Sequence, residues 1–207
     1  MIAVEDTVLV LLAAGRSSRF GDLGSKLEEE FLGRPLGLHV AVALESVPFK
    51  ERVAVVDHCR IDFAQHRFRV VANDAPDKGL SHSLCLGIDC ARANGAQAVL
   101  IALADMPRVT AAHIYRLFDS STDENTVVAS SDGVSPKPPA LFGRARFDAL
   151  MRMEGDTGAR DLVKGGRHVV TAPAELIDID TPEELEQLRK LGRAPEAHGA
   201  ITRPQRE

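Results

Sequence analysis

Residues 7–26 read TVLVLLAAGRSSRFGDLGSK, and the fold follows from how this stretch changes character along its length. Thr7 to Leu12 carries no charge and is rich in β-formers. Such a run reads as a strand covered on both faces, the kind that parallel sheets contain. Ala13, Ala14 and Gly15 are small enough for a backbone or a flat ligand to come close. Arg16, Ser17, Ser18, Arg19 and, past Gly21 and Gly24, Lys26 follow. A loop with free N–H groups, hydroxyls and three cations suits several phosphate oxygens at once. The plainer reading is a strand-to-helix turn, but a structural turn does not need three cations. The stretch is not a Walker loop, because Gly-Lys-Ser/Thr is absent, and Gly15 to Gly21 does not fit G-x-G-x-x-G.

Further along, the acidic run Glu28 to Glu30 reads as a solvated helix face. Pro35 is suited to open a helix whose apolar face is Leu36, Leu38, Val40, Ala41, Leu44 and Val47. Strands are expected over Arg52–Val56 and Phe68–Ala72, with a short helix over Ile61–His66 between them. Leu80, Leu84, Ile88 and Ala91 line one face of a helix that Asn94-Gly95 stops. Ala98 to Ala104, AVLIALA, is a second fully apolar strand, and it ends in Asp105, Met106 and Pro107. Thr110 caps a helix to Phe118. Strands follow over Thr126–Ser130 and Ala140–Phe142, around a Pro-rich turn at Ser135–Pro139. Helices over Ala145–Met153 and Thr157–Val163, and strands over Val169–Thr171 and Leu176–Ile179, come next. Thr181, Pro182 and Glu184 form a capping box that opens the last helix.

Strands alternating with helices predict a three-layer α/β fold with a mostly parallel, doubly wound sheet. Residues 1–192 are expected to form one domain, with a disordered tail over 193–207. Ligands of such sheets sit at the carboxyl ends of the strands, so the Gly15–Lys26 loop and Asp105 share one rim. A cation-rich loop facing a carboxylate suggests a triphosphate, with a metal bridging it to Asp105. The competing reading of Asp105 is an ordinary turn or cap residue.

Bulk properties narrow the function. The 207 residues carry 25 Lys+Arg against 30 Asp+Glu, a net charge of −5, which disfavours nonspecific binding of nucleic acid. Cys59, Cys85 and Cys90 form no CxxC and suit buried thiols in a reducing cytoplasm. No apolar run reaches the length of a membrane span, and no signal peptide is expected. His58, His82 and the cysteines have no metal-ligand spacing.

The motifs LLAAGRSSRFG with Lys26, ALADMP at 102–107 and DIDTPEEL at 178–185 resemble those of the MobA-like nucleotidyltransferases. GLSHSL at 79–84, PPALF at 138–142 and GDTGAR at 155–160 are similar to the molybdenum cofactor cytidylyltransferase branch. The resemblance runs from about Val8 to about Leu191. It implies a Rossmann-like fold of the nucleotide-diphospho-sugar transferase type. It also implies that Ala13, Ala14 and Gly15 contact the base and that Leu12 is among the nucleotide-binding residues. Arg16, Ser18, Arg19 and Lys26 would hold the triphosphate, and Asn73, Ser81 and Ser83 would lie near the nucleoside. Arg19, Lys26 and Asp105 would be catalytic, and Asp105 and Asp180 would bind Mg2+. Ala14, in place of the second glycine of the guanylyltransferases, implies cytosine over guanine and so CTP. A molybdoenzyme or its maturation factor is the implied partner. Two departures stand out: the acidic Glu28–Glu30, and Lys137 where relatives usually have glycine.

The expected chemistry is attack of an acceptor phosphate on the α-phosphorus of the triphosphate, with pyrophosphate leaving. Transfer to a sugar or polyol phosphate, or a nucleotide-binding regulator without catalysis, would use the same loop. For the acceptor, Asp156 or Thr157 can cap a helix whose first turn holds Arg160, a cation facing the positive dipole end. Lys137, Asp156 and Arg160 therefore form a candidate acceptor-phosphate site; the alternative is an Arg160–Asp156 pair at i, i+4.

Overall fold

The structure, a computed structural model, describes residues 1–14, 25–153 and 159–193. Its centre is β1 (Thr7–Ala13), and every residue of that strand is buried. β4 (Glu51–Val56) lies parallel on one side of β1 and β6 (Ala98–Leu103) parallel on the other. β5 (Arg69–Ala72) continues the parallel set beyond β4. Beyond β6 come β8 (Pro136–Gly143), β7 (Val127–Ser131) and β9 (Arg167–Val170), giving the order β5-β4-β1-β6-β8-β7-β9. Only β8 runs against the other strands of this sheet.

The two-residue period of β1 sorts its side chains between two cores. Leu9, Leu11 and Ala13 pack with α1 (Leu38–Ala43) and α3 (Ala111–Asp119), through Val40, Ala41, Ile114 and Leu117. Val8, Val10 and Leu12 face α2 (Leu80–Ala93), α4 (Phe147–Met151) and α5 (Arg160–Gly165), through Leu84, Ile88, Leu150 and Val163. These are the three layers that the alternating pattern predicts. A third, small core joins Phe31 and Leu36 to Ile179, Leu185 and Leu188. It packs α6 (Pro182–Arg193) against the hairpin of β2 (Glu30–Phe31) and β3 (Arg34–Pro35).

Local signals worked where a side chain bonds the backbone. The Thr110 hydroxyl accepts from the His113 amide at 3.1 Å. At the start of α6, Glu184 N–H donates to Thr181 Oγ1 at 3.2 Å while Thr181 N–H donates to Glu184 Oε2 at 2.9 Å. Gly95, past the end of α2, has φ +62°.

Elsewhere the structure corrects the expectations. Pro35 lies in β3, and α1 starts only at Leu38 behind Gly37. Leu32 and Gly33 have φ 47° and 80°. Two positive-φ residues make the tight hairpin turn that carries the chain back. Glu28 ends the 3-10 turn Lys26–Glu28 and Glu30 opens β2, so the acidic run is not a solvated helix face. Glu28 Oε1 accepts from Arg60 N–H at 2.9 Å, and Arg189 pairs with Glu29 at 3.6 Å and donates to the Glu30 carbonyl. Ser135–Pro139 mostly belongs to β8; the reversal comes earlier, where Asp132 Oδ1 accepts from Val134 and Ser135 N–H, both at 2.9 Å. The prolines are tolerated because β6 pairs only with Ala140–Gly143, and the β7 ladder slips in register between Ala129 and Ser130. Leu176–Ile179 forms no strand; Pro173–Leu176 is a 3-10 turn. Arg193 still belongs to α6, and residues 194–207 lie outside the described part.

Two predictions follow from the packing. A Cβ on Gly87 would lie 2.4 Å from Val10 Cγ1, so α2 approaches β1 as closely as it does because position 87 has no side chain. Gly87→Ala should lower stability by about 1–3 kcal/mol by denaturant titration, and pairing it with Val10→Ala should cost less than the sum of the two changes. The second concerns two histidines. Burial lowers His39 below the ordinary histidine value of 6.5, against the Phe31 carbonyl that its ring contacts at 2.7 Å. Burial also lowers His113 below 6.5, with Glu175 opposing and Arg116 assisting. Both rings are neutral in the fold, so the unfolded chain takes up protons first and stability falls as pH drops below about 6.5. His39→Gln with His113→Gln should flatten the melting temperature between about pH 6.5 and 5; an unchanged slope would remove both from the acid response.

Candidate active site

Three stretches far apart in the sequence meet at the carboxyl rim of the sheet. Lys26 leaves a 3-10 turn opened by Ser25, whose hydroxyl accepts from Leu27 N–H. Its Nζ donates to Asp105 Oδ2 at 2.7 Å and to Asp180 Oδ1 at 2.8 Å. Asp105 stands two residues past the end of β6. Its carbonyl accepts from Ile179 N–H at 3.0 Å, which stitches residue 179, and so its neighbour Asp180, to the β6 end. Asp180 N–H in turn donates to Glu184 Oε2 at 2.8 Å, so the capping box of α6 holds the second acid. Ala104 N–H donates to the Leu12 carbonyl at 3.1 Å, which puts the end of β1 beside the residue before Asp105.

Burial and charge shift both members of the Lys26–Asp105 pair upward. Burial works against the Lys26 ammonium, but Asp105 and Asp180 outweigh it and its pKa lies above the ordinary lysine value. Burial raises Asp105 above the ordinary carboxylate range; Lys26 opposes the rise, while Asp178 and Asp180 add to it. Asp105 Oδ1 is buried and has no hydrogen-bond partner among the described residues. Two hard-oxygen acids converging on one point, one with an orphaned oxygen, fit a divalent cation. No group of three or more His, Cys, Asp or Glu gathers among the described residues. Magnesium commonly takes one or two carboxylates and completes its shell with water and phosphate oxygens.

Of the other sequence-derived residues, Leu12, Ala13 and Ala14 stand at the end of β1, while Gly15, Arg16, Ser18, Arg19 and Asp156 lie outside the described residues. Asn73 and Ser83 are buried and bonded to each other, Nδ2 to Oγ, at 2.9 Å. Asn73 Oδ1 also accepts from Ala75 N–H, and the Ser81 hydroxyl donates to the Lys78 carbonyl at 3.2 Å. These three side chains hold the connection between β5 and α2. Burial pushes the thiols of Cys59, Cys85 and Cys90 up, away from the reactive thiolate. His82 pairs with Asp74 at 2.8 Å.

Beside this rim lies a cavity of about 380 Å3 with an apolar floor that includes Leu12, Leu84 and Phe142. It brings together Lys137 and Arg160 and adds Lys164 and Asp178, which the sequence reading did not single out. Lys164 sits four residues after Arg160, one helical turn away on α5. Asp178 precedes Asp180 by two in an extended segment. Lys137 Nζ pairs with Asp132 at 3.1 Å. The Ser135 and Val134 amides and Lys137 hold the Asp132 carboxyl far below its usual range.

A family model described as the MobA-like NTP transferase domain matches residues 9–172. The Purine catabolism protein PucB of Bacillus subtilis (strain 168) is 32% identical over 200 residues, covering 87% of this chain and 95% of that protein. A nucleotidyl transferase from Methanothermobacter superposes with a TM-score of 0.73 at 24% identity, over 89% of this chain and 96% of its own. Rv0371C of Mycobacterium tuberculosis, solved as a complex with manganese, superposes with a TM-score of 0.67 at 21% identity, over 89% and 97%. The last two likenesses are of fold. The seven-stranded sheet, the acids gathered on its carboxyl rim and the match over residues 9–172 make this chain a nucleotidyltransferase that belongs to the MobA-like NTP transferase domain family.

Proposed function

We propose that the protein is a magnesium-dependent cytidylyltransferase that moves CMP from CTP onto the phosphate of molybdopterin cofactor and releases pyrophosphate. The observation that carries this reading is the meeting of Lys26, Asp105 and Asp180 at 2.7 and 2.8 Å on the carboxyl rim of the sheet. CTP is favoured by Ala14 in place of a second glycine, and the acceptor class by the GDTGAR motif at 155–160. The manganese complex of the M. tuberculosis relative in fold supports a divalent cation. No described helix is long and apolar enough to cross a membrane. The reaction is assigned to the cytoplasm, with a molybdoenzyme or its maturation factor receiving the product.

In this mechanism an acceptor phosphate oxygen forms a bond to the α-phosphorus, and the bond from that phosphorus to the α,β-bridging oxygen breaks. The acceptor is already an anion, so the protein needs no covalent nucleophile and works by alignment and charge neutralisation. Magnesium, held by Asp105 and Asp180, would supply neutralisation of the triphosphate. Lys26, with Arg16 and Arg19, binds phosphate oxygens, and Lys26 offers the charge of a buried, fully protonated ammonium. Lys137 and Arg160 hold the acceptor phosphate, and the apolar cavity floor excludes water from its body.

Pyrophosphate release should appear with CTP, Mg2+ and molybdopterin and stay at background with sugar phosphates; no release with any triphosphate would overturn the reading. Asp105→Asn keeps the shape and removes a charged ligand, so turnover should fall at least about a hundredfold with the melting transition retained. Near-normal turnover would take Asp105 out of the mechanism. Arg160→Ala should raise the KM for the acceptor and leave that for CTP nearly unchanged, measured by initial rates with each substrate varied in turn. An equal rise in both would place Arg160 elsewhere.

A further inference from the structure

The cavity beside the rim gathers more positive charge than Lys137 and Arg160 alone supply. Among the described residues that line it, Lys137, Arg160 and Lys164 stand against a single acid, Asp178. Part of the Lys137 charge is already answered within the hairpin of β7 and β8. Its Nζ lies 3.1 Å from Asp132 Oδ2, and the Ser135 and Val134 amides, with Lys137, hold that carboxyl ionised far below its usual range. Full neutralisation of a phosphate dianion therefore calls for a cation beyond Lys137 and Arg160, and Lys164 lines the same cavity. We propose that Lys164 is an acceptor-binding residue that, together with Arg160, selects a phosphate monoester dianion over a monoanion of the same shape. The proposal rests on the reading of this cavity as the acceptor site.

Helical spacing brings the two cations to one anion. Residues 160 and 164 both belong to α5 and both line the cavity, and a separation of four sets their Cβ atoms about 5–6 Å apart. Like charges at that spacing repel each other, and a phosphate between them turns the repulsion into two attractions. The Arg160 guanidinium can give parallel N–H bonds to two phosphate oxygens, while the Lys164 ammonium meets a third as a point charge. Asp161, the acid of the same helix, is not among the residues that line the cavity. The mounting of α5 keeps the pair in place. Val163 is buried, and the His168 ring contacts the Val163 carbonyl at 2.9 Å. A Cβ on Gly166 would lie 2.7 Å from the Val127 carbonyl oxygen, so the end of the helix rests directly on β7. The apolar floor binds the body of a ligand without regard to its charge, which leaves the choice between anions to the cations.

The test compares phenyl phosphate with phenyl sulfate, two esters with the same apolar body, at about pH 8, where the first is a dianion and the second a monoanion. Binding to the full chain is followed by the methyl NMR signals of Leu84 and Val163, which line the cavity, so that an ester held elsewhere on the protein is not counted. The wild type should bind phenyl phosphate at least about tenfold more tightly than phenyl sulfate, the factor that one added charge-assisted contact supplies. Lys164→Met should bind the two esters about equally, and Lys164→Arg should keep the preference. Retention of the wild-type preference by Lys164→Met would overturn the assignment of Lys164 and leave the cavity as the acceptor site. Methyl signals that respond to neither ester in the wild type would overturn the acceptor-site reading itself, and the proposal with it.

Discussion

One ammonium shared by two carboxylates sets the terms for the rest of this structure. Lys26, Asp105 and Asp180 come from a 3-10 turn, from just past the end of β6 and from just before α6, and they touch only because three scaffolds agree. β6 lies against β1, and the Asp105 carbonyl holds the 179 amide. The capping box of α6 fixes the backbone at Asp180. Each unit is ordinary alone; together they gather two carboxylates around one ammonium.

The layered core explains why such a cluster is tolerated. β1 divides its side chains between two apolar faces, and its buried length gives the rim a floor that does not yield. Gly87 lets α2 lie directly on Val10, which fixes the wall of the cavity that Leu84 and Phe142 line. Lys137 reaches that cavity from β8, whose prolines sit beyond the end of the β6 ladder and at a slip in the β7 ladder. Asp105 does its polar work from just past the end of β6, whereas Lys137 still pairs with Ser130 of β7.

Much of this was legible in the sequence because β1 and β6 have to be apolar throughout. A strand covered on both faces shows as a continuous run, and the rule for parallel sheets then brings Asp105 to the same rim as the first loop. The capping box was legible because its chemistry is local. The β2–β3 hairpin was not, because two-residue strands carry no period and Leu32 is an unusual residue for a positive-φ turn. The prolines of β8 look like a turn to any composition rule, since the register slip that admits them is a tertiary fact. The three-way contact of Lys26 was hidden by separations of 79 and 154 residues. Lys164 and Asp178 escaped because a cavity wall has no signature of its own.

The two acids of the rim stand on different units, joined by the hydrogen bond from Ile179 N–H to the Asp105 carbonyl. Asp105 is mounted on the central sheet, whereas Asp180 belongs to the small core of Phe31, Leu36, Ile179, Leu185 and Leu188 that stands apart from both main clusters. Glu29, the Glu30 carbonyl and Arg189 close the seam between the hairpin and α6. Units of that size open at lower free energy than the domain that carries them. The site is therefore half bedrock and half masonry: one wall rises from the sheet, and the other from a small core keyed to it at Ile179.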